Sequence, residues 1–307
     1  MKKITTLLLV IALASGMVAI QSCQSTKSST ASKMLKFNLE NGKGYDYEMS
    51  MSMDQEIRGQ KIKMDMSAYY SMNVDGNDGE TKQVSTTIDR FKLGMDMGVM
   101  NIDVDTDHPL PESGDEDIKK DPLKLMNKVL GAIKGRTFKM KVNAEGKVME
   151  VSGFKEMANS IIDSMGAITG NDEAIKEQVR ATFEKQFNEA DTKSQFERML
   201  YIFPNKEVKV GDSWQRTTNT SGQMPAKYNS TYTVKEIEGD MVTLEERSKI
   251  ESTNDEMGIN GKVEGILVVD SRSGLLVNAD QNMSMTAKVK GEEVVVKAVN
   301  KIKGKAN

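Results

Sequence analysis

Cysteine is almost absent from this chain: Cys23 is the only one in 307 residues, and histidine and tryptophan are likewise single, as His108 and Trp214. A single cysteine cannot close a disulfide within the chain or supply the several thiolates of a structural zinc site, and its acylation would leave no cysteine nucleophile either. A histidine-based catalytic triad would have one residue to draw on. Basic residues are also in deficit, 42 against 45 acidic. That balance speaks against nucleic acid as a partner, since nucleic-acid-binding domains carry a basic footprint. Apart from Leu7 to Ile20 there is no long apolar run, and that stretch is shorter than the ~20 residues a membrane span needs.

What stands at the N-terminus is more telling. Lys2 and Lys3 precede the apolar stretch, which only Ser15 and Gly16 break, and Ile20-Gln21-Ser22-Cys23 sets a small residue before a cysteine. That order is a secretory signal peptide. Its ending resembles a lipobox, in which the cysteine becomes the acylated N-terminus. Residues 1–22 therefore read as a lipoprotein signal peptide and 23–33 as a lipidated tether, because Gln24 to Lys33 lacks any apolar period. Residues 34–307 read as one α+β domain. Residues 1–22 hold two of the basic residues and no acid, which leaves the rest at a net charge of −5. By resemblance to sorting rules, Gln24 in place of aspartate argues against retention at the inner membrane. The residues after Cys23 also lack an acidic run, so the expected location is the periplasmic face of the outer membrane.

From Tyr45 the chain alternates. Tyr45, Tyr47, Met49, Met51, Met53 and Ile57 share one parity and polar residues take the other, the pattern of a strand with one buried and one wet face. After a turn at Gly59, Ile62, Met64, Met66, Ala68, Tyr70, Met72 and Val74 repeat it. These runs predict a long hairpin followed by a turn over Asp75 to Gly79. The parity then changes twice, between Ile88 and Phe91 and again between Val99 and Met100. An extra residue in a strand has that effect, so a bulged, bent strand is expected.

The middle of the chain reads as helical around one hairpin. Asp121-Pro122 is an N-cap followed by proline at the first helical position. Phe138 to Val151 reads as the hairpin. Phe154, Met157, Ala158, Ile161, Ile162 and Met165 follow helical spacing, another helix is expected over Glu173 to Phe187, and Thr192-x-x-Gln195 has the form of a capping box. Beyond Pro204 strands return: Val208–Trp214, Tyr228–Ile237, Met241–Ile250, Ile259–Val269, Leu275–Val289 and Val294–Ile302. Strands over 34–106, helices and one hairpin over 121–203 and strands over 206–303 give an α+β fold. The short turns imply a large, curved, mostly antiparallel sheet, a half-barrel-like meander with the helices packed on one face.

Residues able to do chemistry are sparse. His108 lies in a His-Pro-Leu-Pro loop with no serine elbow to serve. Ser152-x-x-Lys155 has the spacing of a serine–lysine pair but lacks its companion motifs, and reads better as a helix cap. Asp103, Asp105 and Asp107 could be an oxygen cluster for calcium or the wet face of a strand, where charge guards an edge. The expectation is no enzyme, no cofactor and no metal.

Methionine is abundant, 23 residues against eight phenylalanines. The candidate ligand-binding set is Met49, Met51, Met53, Met64, Met66, Met95, Met97, Met157, Met165, Met283 and Met285. Three readings are open for it: a core packed with methionine where other proteins use leucine, a pliable groove for a lipid or other apolar ligand, or thioether ligation of copper(I).

With the signal, the opening Phe37-x-Leu39…Gly42…Tyr45, and Pro204-Asn205-Lys206-Glu207-Val208-Lys209-Val210-Gly211-Asp212-Ser213-Trp214, the chain resembles an uncharacterised family of bacterial lipoproteins known only as a domain of unknown function. No activity follows from it; Gly211-Asp212 reads as a turn and Trp214 as a core residue beyond it. More loosely, a curved sheet backed by helices on a lipidated leash resembles carriers of the LolA, LolB and LppX type, which implies acyl chains held between half-barrel and helical lid. The resulting expectation is a non-enzymatic envelope lipoprotein with a groove for a lipid or apolar ligand. The alternative is a structural module that binds an envelope protein partner. The set bearing Phe154, Met157, Ile161 and Met165 is expected to be the helix that covers the methionine face.

Overall fold

The computed structural model describes residues 32–57, 59–96, 98, 101–109, 122–166, 172–221, 225–253, 257–289 and 291–307. Cys23, the signal segment, all of the tether before Ser32, and Met97 lie outside the described residues.

Twelve strands form one mostly antiparallel sheet that is curved but not closed. The N-terminal group is β2 (Gly44–Ile57), β3 (Gln60–Asp78), β4 (Thr81–Asp96) and β5 (Asn101–Asp105), with β6 (Thr137–Asn143) and β7 (Val148–Ser152) following α1 (Pro122–Gly131). After α2 (Phe154–Ser164), α3 (Glu173–Gln186) and α4 (Glu189–Leu200) come β9 (Ser213–Asn219), β10 (Ala226–Glu238), β11 (Met241–Ser252), β12 (Asn260–Asp270), β13 (Leu275–Val289) and β14 (Glu292–Ala306). Neighbours across the sheet run β7-β6-β4-β3-β2-β14-β13-β12-β11-β10-β9, with β5 folded back on β4. The last strand joins the two groups: β14 pairs β2 along its whole length, from Tyr45 opposite Ala306 to Ile57 opposite Val294. A separate pair, β1 (Lys33–Leu35) with β8 (Lys206–Val208), ties the N-terminal segment to the residues after α4.

The inward parity of the strands makes two cores. The larger lies between sheet and helices, and the scarce aromatics are spent there. Phe138 meets Phe154 of α2 and Phe196 of α4, Tyr70 meets Phe196, Phe154 meets Phe183 of α3, and Phe187 meets Phe91 of β4. Their ring centroids lie 5.3–6.4 Å apart, favourable spacing for tilted and edge-on pairs. The smaller core contains Ala226, Tyr228, Ile250, Ile259, Val263, Met285, Ala287, Val294 and Val296, and among the described residues no helix contributes to it.

Helix α4 spans the opening between the two sheet edges. It packs against β7 on one side and β9 on the other. Lys193 donates to the Met149 carbonyl of β7 at 3.1 Å. Past the helix, the Trp214 indole of β9 donates to the Ile202 carbonyl at 2.8 Å, and Arg216 of β9 reaches Glu145 in the β6–β7 turn at 3.1 Å. That turn approaches so closely that a Cβ at Gly146 would collide with the Leu200 carbonyl. Exposed edges invite pairing with other chains, and here a helix occupies the gap.

Several sequence expectations need correction. The first parity change is a bulge: Tyr69 faces Arg90 and Tyr70 faces Ile88, which leaves Asp89 as the extra residue. The second, between Val99 and Met100, lies outside the described residues; on either side of it β4 ends at Asp96 and β5 pairs back antiparallel, with Met95 opposite Ile102. A reversal of direction shifts parity just as a bulge does. The turn expected over Asp75 to Gly79 is shorter, because β3 continues through a second irregularity at Val74/Gly76 to Asp78, which faces Thr81. Helix α4 begins before Thr192, capped by Asn188, whose side chain accepts from the Asp191 amide at 2.9 Å. Ser152 does not cap α2; it ends β7, and Gly153 at φ 107° makes the entry. Val208–Trp214 is two short strands, β8 and β9, separated by a turn with Gly211 at φ 90°.

Candidate functional site

The site follows from strand register. Side chains directly opposite one another on neighbouring strands share a face, so the ladder can be read as rows across the concave surface. One row runs Phe91, Ala68, Met49, Ile302, Ala279, Leu267, Leu244, Val234, all apolar. The next runs Leu93, Met66, Met51, Asn300, Gln281, Gly265, Glu246, Tyr232, Trp214. The third runs Met95, Met64, Met53, Ala298, Met283, Val263, Ser248, Ser230, Arg216. A methionine-rich surface on β2–β4 thus gives way to a polar belt on β10–β14, and that belt separates the two cores.

Helix α4 lies over these rows and encloses a half-open cavity of about 330 Å³, at the lower end of the ~300–1,000 Å³ usual for ligand pockets. Met49, Met51, Met66 and Met283 line the sheet side, with Leu267, Leu276 and Ile302. Asp191, Ser194, Gln195, Arg198 and Met199 line the helix side, the i, i+3, i+4, i+7, i+8 stripe of one helix face. Phe196 and Leu200 turn into the main core. At the β9 end, Ser221 donates to the Asp191 carboxylate at 2.8 Å and contacts Ser194 at 3.3 Å.

Glu246 is the unusual member of the lining, 4% exposed on a strand whose other inward residues include Val242, Leu244 and Ile250. The Ser248 hydroxyl donates to Oε1 at 2.6 Å and the Gln281 amide donates to Oε2. Ser230 and Ser248 share a hydrogen bond of 2.7 Å. Gln281 reaches Glu246 across Gly265, which stands between them in the row and has no side chain to obstruct it. Burial, with the neighbouring Glu246 carboxylate, pushes the Tyr232 hydroxyl well above its ordinary value. From α4 the Arg198 guanidinium reaches the sheet and stacks on the Tyr228 ring of β10, 3.9 Å from its centroid.

The structure brings part of the candidate methionine set together. Met49, Met51, Met66 and Met283 line the cavity, and Met53, Met64 and Met95 continue the same surface beside it, all of them half-buried. Met285 belongs to the smaller core. Met157 and Met165, each 3% exposed, are packed in the main core and do not line the cavity. The covering helix is therefore α4 and not the Phe154–Met165 helix, because α2 packs against β6 and α3. The polar belt was missed in the sequence. Its signal was there, as polar residues at inward parity: Ser230, Glu246, Ser248, Gln281 and Asn300.

The residues weighed for other chemistry lie elsewhere. His108 is exposed and contacts Asp105 at 3.1 Å. Asp105 is held by a bidentate Arg90, at 3.0 and 2.7 Å, and Asp107 by Lys134 at 2.7 Å. Asp103 is exposed on β5.

No curated protein matches the chain. Among solved structures it is similar to lipovitellin, described for its lipid–protein interactions, at 9% identity and a TM-score of 0.47, over 87% of this chain and 25% of that one. The chain thus spans about a quarter of the length of lipovitellin. It is also similar to the translocator domain of the autotransporter NalP from Neisseria meningitidis, at 9% identity and a TM-score of 0.34, over 86% of this chain and 88% of that domain. The β domain of the Bordetella autotransporter BrkA gives 6% identity and a TM-score of 0.34, over 85% of this chain and 98% of that one. Sequence, rather than overall shape, places the protein: the model of the Family of unknown function (DUF6263) matches residues 79–276, and the chain belongs to that family.

Proposed function

We propose that this protein is a non-enzymatic lipoprotein of the bacterial envelope, anchored through acylated Cys23 at the periplasmic face of the outer membrane, and that the cavity beneath α4 takes up a lipid or other apolar ligand. The observation that carries the ligand reading is the half-open cavity of about 330 Å³ walled by half-buried Met49, Met51, Met66 and Met283. Methionine adapts to ligands of varied shape, and an open apolar wall needs an occupant to remove it from water. The anchoring reading rests on Lys2, Lys3, the Leu7–Ile20 stretch and Cys23. The protein-binding module is the alternative, and the same experiments separate the two.

Mass spectrometry of an organic extract of the native protein should show a co-purified lipid. Emptied protein should enhance the fluorescence of phenylnaphthylamine, an uncharged apolar probe. Met51→Asp puts a charge on the cavity wall; it should abolish uptake while leaving the circular dichroism spectrum unchanged. An extract free of lipid, together with no probe uptake, leaves the module reading standing. Cys23→Ala should move the protein from membrane to soluble fractions, and unchanged fractionation would remove the anchor.

A further inference from the structure

An apolar wall accounts for a greasy ligand, but it does not account for the belt beside it. Glu246 occupies a position on β11 where the strand's parity calls for an apolar side chain, and it is 4% exposed. Removing a carboxylate from water is strongly unfavourable unless it is paired. Its partners are neutral, the Ser248 hydroxyl and the Gln281 amide, one on each oxygen. An ionised carboxylate has about four acceptor sites, so each oxygen can accept another donor. Among the described residues Glu246 makes no ion pair. Ser230, Ser248, Gly265 and Gln281 fix the carboxylate in place without neutralising it.

Helix α4 carries the opposite charge to the same cavity, on the half-buried Arg198. Arg198 lies on Tyr228 and among the described residues makes no ion pair. Both side chains line the one cavity, yet they do not join. A fatty acid would bring its carboxylate toward Glu246, and a simple long-chain amine would bring its charge toward Arg198. A molecule carrying both charges would satisfy both groups, since charge-assisted hydrogen bonds are stronger than neutral ones.

We propose that the cavity binds a single-chain amphiphile with a zwitterionic ammonium–phosphate head. The ammonium donates to Glu246, the phosphate accepts from Arg198, and the chain lies along Met49, Met51, Met66 and Met283. A cavity of about 330 Å³ at the small end of the ligand-pocket range has room for one chain. This rests on the ligand reading above and narrows it to a class of head group.

Calorimetry on the delipidated mature protein tests it, using lauroyl lysophosphatidylethanolamine, lauroyl lysophosphatidylglycerol and lauric acid below their micelle-forming concentrations. The wild type should bind the ethanolamine head about ten-fold or more tighter than the phosphoglycerol head. Glu246→Gln removes the charge at nearly the same shape, and the Gln281 amide can turn its carbonyl toward the new NH2 group, so the variant should bring those two affinities together by weakening the ethanolamine lipid alone. Arg198→Met should weaken both phospholipids. Equal wild-type affinity for all heads overturns the proposal, as does a Glu246→Gln effect equal on all three. Should that variant fail to fold, the wild-type ranking decides. Uptake of phenylnaphthylamine without any lysolipid binding overturns the zwitterion alone. No uptake of any probe overturns the ligand reading and this proposal with it.

Discussion

Strands β2 and β3 each cross two regions of the molecule, and their side chains fare differently in each. At one end Tyr45 and Tyr47 of β2 and Tyr70, Met72 and Val74 of β3 are buried in the main core. Farther along the same strands, on the same face, Met49, Met51, Met53, Met64 and Met66 are half-buried. Strand geometry and residue class are nearly constant between the two ends; the cover is what changes. Where the Phe138–Phe154–Phe183 cluster lies on the sheet the core is filled, and where α4 arches over the ladder a cavity remains. Parity tells which face turns inward, while the packing of distant elements decides whether that face meets protein or an open space.

This comparison is most sharply tested by truncating a methionine in each region. Met157→Ala removes a side chain 3% exposed in the filled core, and should lose about 2–5 kcal/mol in urea unfolding, as buried large-to-small changes do. Met51→Ala on the cavity wall should lose about 1 kcal/mol or less, since its side chain is only half-buried and borders the cavity. Equal losses would mean that the wall is closed and packed in solution.

Of intermediate size is the effect of unfastening the seam. Trp214→Phe keeps most of the ring but leaves the buried Ile202 carbonyl without its donor, a loss of about 1–3 kcal/mol. Amide exchange in α4 should rise more than in α2. Uniform exchange in both helices would show that α4 is not held separately at the sheet edges.

The smallest expected effect is a pH dependence in the strand that borders the methionine surface. β5 lies against β4, and the Arg90 guanidinium holds the Asp105 carboxyl far below the ordinary range, with His108 and the Asp107 amide adding to the effect. A depressed carboxyl contributes stability above its unfolded pKa and loses that contribution as pH falls through the folded one. The wild type should thus lose melting temperature toward about pH 3 and below, and Asp105→Asn should flatten that limb. An identical acid limb in both would show that this network does not contribute to the stability of the wall.

Much of the fold was legible. The bulge at Asp89, the β6–β7 hairpin and the helical stripe of α2 all follow from local period, and the observed elements agree. Errors fell where two structures leave the same trace. The reversal of direction between β4 and β5 shifts parity as a bulge does, and Thr192-x-x-Gln195 imitates a helix start inside a helix that Asn188 had already capped. The site was less legible. The methionines on β2–β4 and β13 were visible by parity, but Glu246, Gln281 and Arg198 lie on three different elements, and nothing local says they share a cavity.

By itself the sequence determined which segments are strands and helices and which side chains turn inward, because periods of two and 3.6 residues are properties of the backbone. It also carried the Lys2–Lys3, Leu7–Ile20 and Cys23 pattern on which the proposed export and anchoring rest. Only the tertiary structure decided that β14 enters between β2 and β13, that α4 lies across both free edges, and that a carboxylate and a guanidinium face one cavity without pairing. Those outcomes depend on which distant edges and faces find each other, and alternation along a single strand is the same whichever partner lies beside it.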